Sequence, residues 1–216
     1  MNQEMTGRQG VGEHRFFARW YDTVTGPLER RWLGRVREEL LADLGGQILE
    51  IGAGTGANLA HYRRADHVVA AEPDPAMRER LRRRLGEARV PVELSPVRVE
   101  DLPFGDDTFD VVVSTLVLCS VADLPAALAE VRRVLRPAGR LVVIEHVRDD
   151  GVRGRAQDAL APLWRRLAAG CHLNRDIATA IRTAGLEAGP IDTFRPRPTL
   201  PILHRWIRGT ATPPEM

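Results

Sequence analysis

Glu50, Gly52, Gly54 and Gly56 alternate along one short stretch, with Ala53 among them, and a second carboxylate follows at Glu72. They are the chain's first candidates for holding a ligand. A turn of alternate glycines lets backbone approach a ligand closely, and the start of the next helix offers unpaired N–H groups. Glu72 stands 20 residues after Gly52, a distance at which a carboxylate commonly accepts hydrogen bonds from both hydroxyls of a ribose. Together they predict an adenosine site. Gly52, Gly54 and Ala57 also satisfy the dinucleotide spacing G-x-G-x-x-G/A, a weak signal alone. Glu50 separates the two cases: a carboxylate there would repel a pyrophosphate and attract a cofactor that carries an ammonium and a sulfonium.

The elements that must position these residues can be read from apolar runs. Gln47 to Ile51 reads as a strand buried on both faces, leading directly into the glycine turn. A helix over about Asn58–Arg64 and a second strand His67–Glu72 follow, the latter delivering Glu72 at its end. Pro73-Asp74-Pro75 opens a helix running to about Glu87. Val92–Val99 reads as the third strand, Val111–Ser114 as the fourth and Arg140–Val147 as the fifth. Asp123 caps an intervening helix whose apolar face is Leu124, Leu128, Val131 and Leu135. Strands alternating with helices predict an α/β fold with a mostly parallel, doubly wound sheet. Beyond it, Asn174 or Asp176 caps a helix ended by Gly185, and 186–194 and about 202–211 read as two final strands. Before it, Leu28, Trp32, Leu33, Val36, Leu40, Leu41 and Leu44 recur at helical spacing until Gly45-Gly46.

Composition narrows the function classes. The apolar content of 44% is that of a folded chain, and a net charge of +2 gives no reason to invoke nucleic acid. All basic side chains are arginine, and the run from Arg78 to Arg84 reads as a solvated helix face. Cys119 and Cys171 have no metal-type spacing along the chain, so no metal site is expected and both read as packed small hydrophobes. They suit a reducing cytoplasm. No apolar run reaches the length of a transmembrane helix, and Met1 to Glu13 is polar.

Glu50 to Gly56, Glu72, Leu102-Pro103-Phe104, Asp110 to Val113 and Arg133 to Leu141 resemble successive motifs of class I S-adenosylmethionine-dependent methyltransferases of the ubiquinone/menaquinone-biosynthesis type, over about residues 45–147. A narrower resemblance, to the alkyl thiol S-methyltransferase family, is carried by Thr115 to Val121, Glu145-His146-Val147, Gly170 to Asp176, Phe17-Ala18-Arg19 with Tyr21, and Trp206 to Ala211. The resemblance implies a Rossmann-like sheet of about seven strands with an antiparallel last strand, in a domain 45–216 preceded by an N-terminal helical cap or lid, 1–44. It implies S-adenosylmethionine as cofactor, held by Glu50, Gly52, Ala53, Gly54, Gly56, Glu72, Pro73, Val99, Glu100, Asp101, Thr115 and Leu116. Arg98-Val99 departs from the pattern where many relatives place an adenine-binding aspartate, so recognition there would fall to the Val99 backbone and to Glu100. The family's animal members carry an N-terminal membrane anchor, whereas the polar start of this sequence points to a cytoplasmic protein.

The implied reaction is an in-line displacement by a nucleophile on the sulfonium methyl. A small thiol suits a site with few catalytic groups, because a few per cent is already thiolate at neutral pH. His146, at the carboxyl end of the fifth strand, is the candidate to take the proton; it reads equally as a histidine bonded under the sheet edge. Tyr21 and Asp22, in the aromatic cluster Phe16–Asp22, are candidates for lid or base. Methylation of a quinone or phenol at carbon or oxygen, N-methylation of a phospholipid headgroup, an NAD-dependent oxidoreductase and a non-catalytic nucleotide module are the competing readings.

Overall fold

The computed structural model describes residues 20–23 and 25–214. The Phe16–Arg19 part of the aromatic cluster lies outside the described residues. Seven strands form one sheet in the order β3-β2-β1-β4-β5-β7-β6. They are β1 (Gly45–Ile51), β2 (Arg64–Ala71), β3 (Val92–Ser95), β4 (Phe109–Thr115), β5 (Leu135–His146), β6 (Glu187–Phe194) and β7 (Trp206–Thr212). The first five pair in parallel, and β7 runs antiparallel between β5 and β6. The order reverses between β1 and β4, so the crevice beyond their carboxyl ends is where ligands bind in such sheets. The glycine turn lies there.

Helices cover both faces. On one, α3 (Leu124–Val134) and α5 (Ile177–Thr183) bury Leu128, Val131, Ile177 and Ile181 against Leu49, Val112, Leu141 and Val143. On the other, α1 (Gly34–Leu41), preceded by a π-helical turn over Glu29–Leu33, buries Leu41 against Ile48, Val111 and Val142, and Leu33 and Val36 against Ile144. The described residues before the sheet are thus seated on its core. Helix α2 (Pro75–Arg84) starts at an Asp74 cap that accepts from the Ala76 and Met77 amides. Helix α4 (Gly151–Leu167) runs through Pro162 and leaves Leu160, Leu163 and Leu167 exposed.

The elements differ from the sequence reading at three edges. The helix expected over Asn58–Arg64 shrinks to a 3-10 turn, Leu59–His61, because β2 already begins at Arg64. The third strand stops at Ser95 and does not reach Val99, since Pro96 has no N–H for the ladder. β5 begins at Leu135, ahead of Arg140, paired with Phe109 across a register shift. Asp176 is the cap that the sequence left open between two candidates.

Candidate functional site

The glycines adopt the conformations their positions require. Gly52, Gly54 and Gly56 have φ of 56°, 58° and 85°, the left-handed region that side chains avoid. A Cβ on Gly52 would stand 2.6 Å from the Val117 methyls, so only glycine lets the loop after β4 close over the turn. A Cβ added at Gly54 would meet only the Gly52 carbonyl, 3.8 Å away, so that side of its backbone is uncrowded. The Ala53 N–H bonds the Ala71 carbonyl at 3.0 Å, tying the turn to β2.

Glu72 stands where the sequence puts it. Its carboxylate accepts the Gly54 N–H and the Asp74 N–H, both at 2.8 Å, which fixes the turn and the entry to α2 together. Burial raises its pKa above the usual carboxylate range. Pro73, exposed, continues this rim. Two oxygens held by backbone at the end of β2 still have lone pairs for a diol, and the uncrowded side of Gly54 lies beside them. This donor set fits the ribose side of S-adenosylmethionine.

Glu50 proves to be the centre of a buried network. Its Oε1 accepts from Asn58 Nδ2 at 2.9 Å and its Oε2 from the Tyr62 hydroxyl at 3.0 Å. Asn58 Nδ2 also reaches Thr115 Oγ1 at 3.2 Å, and Asn58 Oδ1 accepts from Arg37. Arg37 in turn pairs with Glu29 at 2.8 Å. Burial pushes Glu50 up to about 7, against the hydrogen bonds from Tyr62 and Asn58 and the Arg37 charge. Arg37, Asn58 and Tyr62 were missed from the sequence: nothing in their types marks them, and only the fold brings them beneath the turn.

Of the two N-terminal candidates, Asp22 makes a contact with the glycine turn. Asp22 Oδ1 accepts from Thr55 Oγ1 at 2.6 Å, and its Oδ2 lies 3.6 Å from Arg80. With Thr55 only 1% exposed, this contact seats the N-terminal helix on the turn itself. Burial pushes the Tyr21 phenol up to about 12, so it keeps its proton at neutral pH and suits a donor better than a base.

The adenine-side candidates are arranged differently from a free binding group. Val99 is buried, Asp101 is exposed, and Glu100 Oε1 accepts the Ala122 N–H at 2.8 Å while pairing with Arg98. Leu116, at φ 62°, donates its N–H to the Ile144 carbonyl and begins the loop over the turn.

His146 is only 3% exposed, and its Nε2 lies 3.0 Å from Cys171 Sγ. Cys119 joins the pair, so two cysteines far apart in sequence meet one histidine within 4.8 Å. Linear spacing could not reveal this. The Cys119 thiol is pushed up by its hydrogen bond to Cys171 and by burial, while that bond and the His146 ring draw Cys171 down. Neighbouring Glu145, fully buried, accepts from Ser114 Oγ and the Val117 and Leu118 amides at 2.8–3.0 Å, and so shapes the loop carrying Cys119.

Comparison with known proteins identifies the family. Residues 49–143 match the family model described as a methyltransferase domain. Over 166 residues the chain is 35% identical to thiol S-methyltransferase TMT1B of Homo sapiens, an alignment covering 71% of this chain and 68% of that protein. It is 32% identical over 152 residues to a phosphatidylethanolamine N-methyltransferase of Cereibacter sphaeroides, covering 68% of this chain and 74% of the other. Its fold matches that of an S-adenosylmethionine-dependent methyltransferase from Leishmania major with a TM-score of 0.66 at 18% identity, over 96% of this chain and 87% of that one. The chain spans between 55% and 68% of the length of the TMT1B proteins it matches. Among the described residues, no helix is long and apolar enough to cross a membrane.

Proposed function

The chain belongs to the class I S-adenosylmethionine-dependent methyltransferases, and from that premise we propose that it methylates the sulfur of a small, largely apolar thiol. The observation that carries the cofactor part of the reading is the paired arrangement of Gly54 and Glu72, an uncrowded glycine backbone beside a buried carboxylate fixed by two amides; the acceptor part rests on the thiol S-methyltransferase relatives. When bound, the cofactor supplies an electrophilic methyl on a sulfonium. Glu72 is assigned to the ribose hydroxyls, and Gly52 to Gly56 to the backbone approach. Glu50, with both oxygens already engaged, holds the turn through Asn58 and Tyr62 and lends negative potential to the cationic end. Asp22 on Thr55 is assigned as a latch at the turn, and Tyr21 as a hydrogen-bond donor. Excluding water there strengthens each of these interactions.

Most of the rate would come from positioning two bound molecules, since direct transfer asks for little general catalysis. A thiol meets that condition better than an amine or carbon acid, because its thiolate is present at neutral pH. The relatives named for thiol S-methylation support this acceptor, and two free cysteines suit a reducing cytoplasm. The phosphatidylethanolamine relative favours a second reading, an amine headgroup as acceptor. Labelled-methyl transfer to thiols, quinols and phosphatidylethanolamine tests both; label confined to a non-thiol product would overturn the thiol reading.

A further inference from the structure

Cys119, His146 and Cys171 come from three separate segments, the loop after β4, the end of β5 and the turn before α5, yet their ligand atoms lie within 4.8 Å of one another. We propose that they hold one thiophilic divalent cation, zinc by its donor set, with a fourth position open to the acceptor sulfur. The proposal deepens the thiol reading and rests on it. Two thiolates and an imidazole are the ligands zinc prefers, and three protein ligands plus an exchangeable one is the pattern of catalytic rather than structural zinc. Tetrahedral zinc puts its ligand atoms roughly 3.5–3.8 Å apart, from bonds of about 2.3 Å to sulfur and about 2.0 Å to nitrogen. The His146 Nε2 to Cys171 Sγ distance of 3.0 Å and the 4.8 Å limit bracket that span, so small rotations of the side chains complete the site.

The backbone around the cluster is held from several sides. The His172 N–H bonds the Cys119 carbonyl at 2.8 Å. Arg175 donates to the Leu118 carbonyl at 2.6 Å and to the Val121 carbonyl at 2.7 Å, clamping the loop on either side of Cys119. Glu145 takes the Val117 and Leu118 amides from the other direction. Such outer contacts fix the ligands of metal sites. No fourth His, Cys, Asp or Glu among the described residues joins the group, which leaves one position for an exogenous ligand. The place is right for the reaction. Cys119 is two residues beyond Val117, whose methyls pack over Gly52 in the cofactor turn.

A thiol entering the open position displaces water and gives its proton to solvent. Its sulfur lone pair then forms the new bond to the methyl carbon, the sulfonium carbon–sulfur bond breaks, and that electron pair leaves with the thioether S-adenosylhomocysteine. The cation lowers the thiol's pKa and is unchanged by the turnover.

The test is cobalt substitution in the full chain, prepared metal-free under reducing conditions. The expected result is one Co2+ per chain with the visible bands of a tetrahedral thiolate site, bands that shift when a short alkyl thiol is added. Cys171→Ser and His146→Ala should weaken cobalt binding roughly tenfold or more. Retained S-adenosylhomocysteine binding by these variants would show that they are folded. Absence of tetrahedral bands in the wild-type chain would overturn the site, as would undiminished thiol methylation by metal-free protein in excess chelator. Bands that ignore every thiol, with methyl passing to another acceptor, would remove the thiol reading and the open position while leaving the cation site standing.

Discussion

The Glu72 carboxylate accepts the Gly54 amide at 2.8 Å, so the end of β2 and the turn after β1 are one rigid unit. The carboxylate proposed to meet a ribose is therefore also what sets the backbone beside it. Replacing Glu72 removes both effects. Glu72→Ala should weaken S-adenosylhomocysteine binding by about 1–3 kcal/mol, the worth of charge-assisted hydrogen bonds, as read by calorimetry. Unchanged affinity would mean the carboxylate does not meet the ribose.

Gly52→Ala asks a narrower question. The residue has φ 56° and its Cβ would meet the Val117 methyls at 2.6 Å, so backbone and neighbour are both strained. The left-handed conformation alone costs roughly 1–2 kcal/mol for a residue with a Cβ. Thermal unfolding should fall and cofactor affinity should fall with it; Gly54→Ala, at an uncrowded position, should lose affinity with the smaller loss of stability.

Glu50 gives a pH dependence whose sign can be worked out. Burial raises its folded pKa to about 7 from the 4.5 of an ordinary glutamate. The folded state therefore binds a proton that the unfolded chain releases, and its contribution to stability is full below about 4.5 and lost as pH rises through about 7. Glu50→Gln removes that dependence. At pH 8 the variant should unfold at a higher temperature than the wild type, and at pH 5 the difference should narrow. A uniform shift across that range would assign the effect to packing.

Asp22→Asn tests the latch. It removes the charge that faces Arg80 and weakens the 2.6 Å bond from Thr55, at a partly exposed side chain. Stability should change little, whereas S-adenosylhomocysteine should dissociate faster and limited proteolysis before residue 29 should accelerate. Equal dissociation rates would leave the segment as packing alone.

The centre of the sheet was readable because β1, β2, β4 and β5 carry apolar runs separated by glycine, proline and capping residues, and Asp74, Asp123 and Asp176 cap helices as their positions suggest. The position of Glu72 just beyond β2 was readable because it depends on distance along one strand–helix unit. What lay beyond reach needed contacts between remote segments. Arg37, Asn58 and Tyr62 are ordinary helix and loop residues until they surround Glu50. The two cysteines looked unrelated because only the closure of the loop after β4 on the turn before α5 brings them to His146. Pro96 was visible, and it ended the third strand earlier than apolar content alone suggested.

Transfer of a methyl group to sulfur is read most directly by incubating the purified chain with S-[methyl-labelled] adenosylmethionine and, separately, alkyl thiols, catechols, quinols and phosphatidylethanolamine vesicles, with products separated and counted. Label should appear in the thioether of the alkyl thiols, formed in step with S-adenosylhomocysteine. No label in any thiol product, with label in a quinol or headgroup product, would contradict transfer to sulfur.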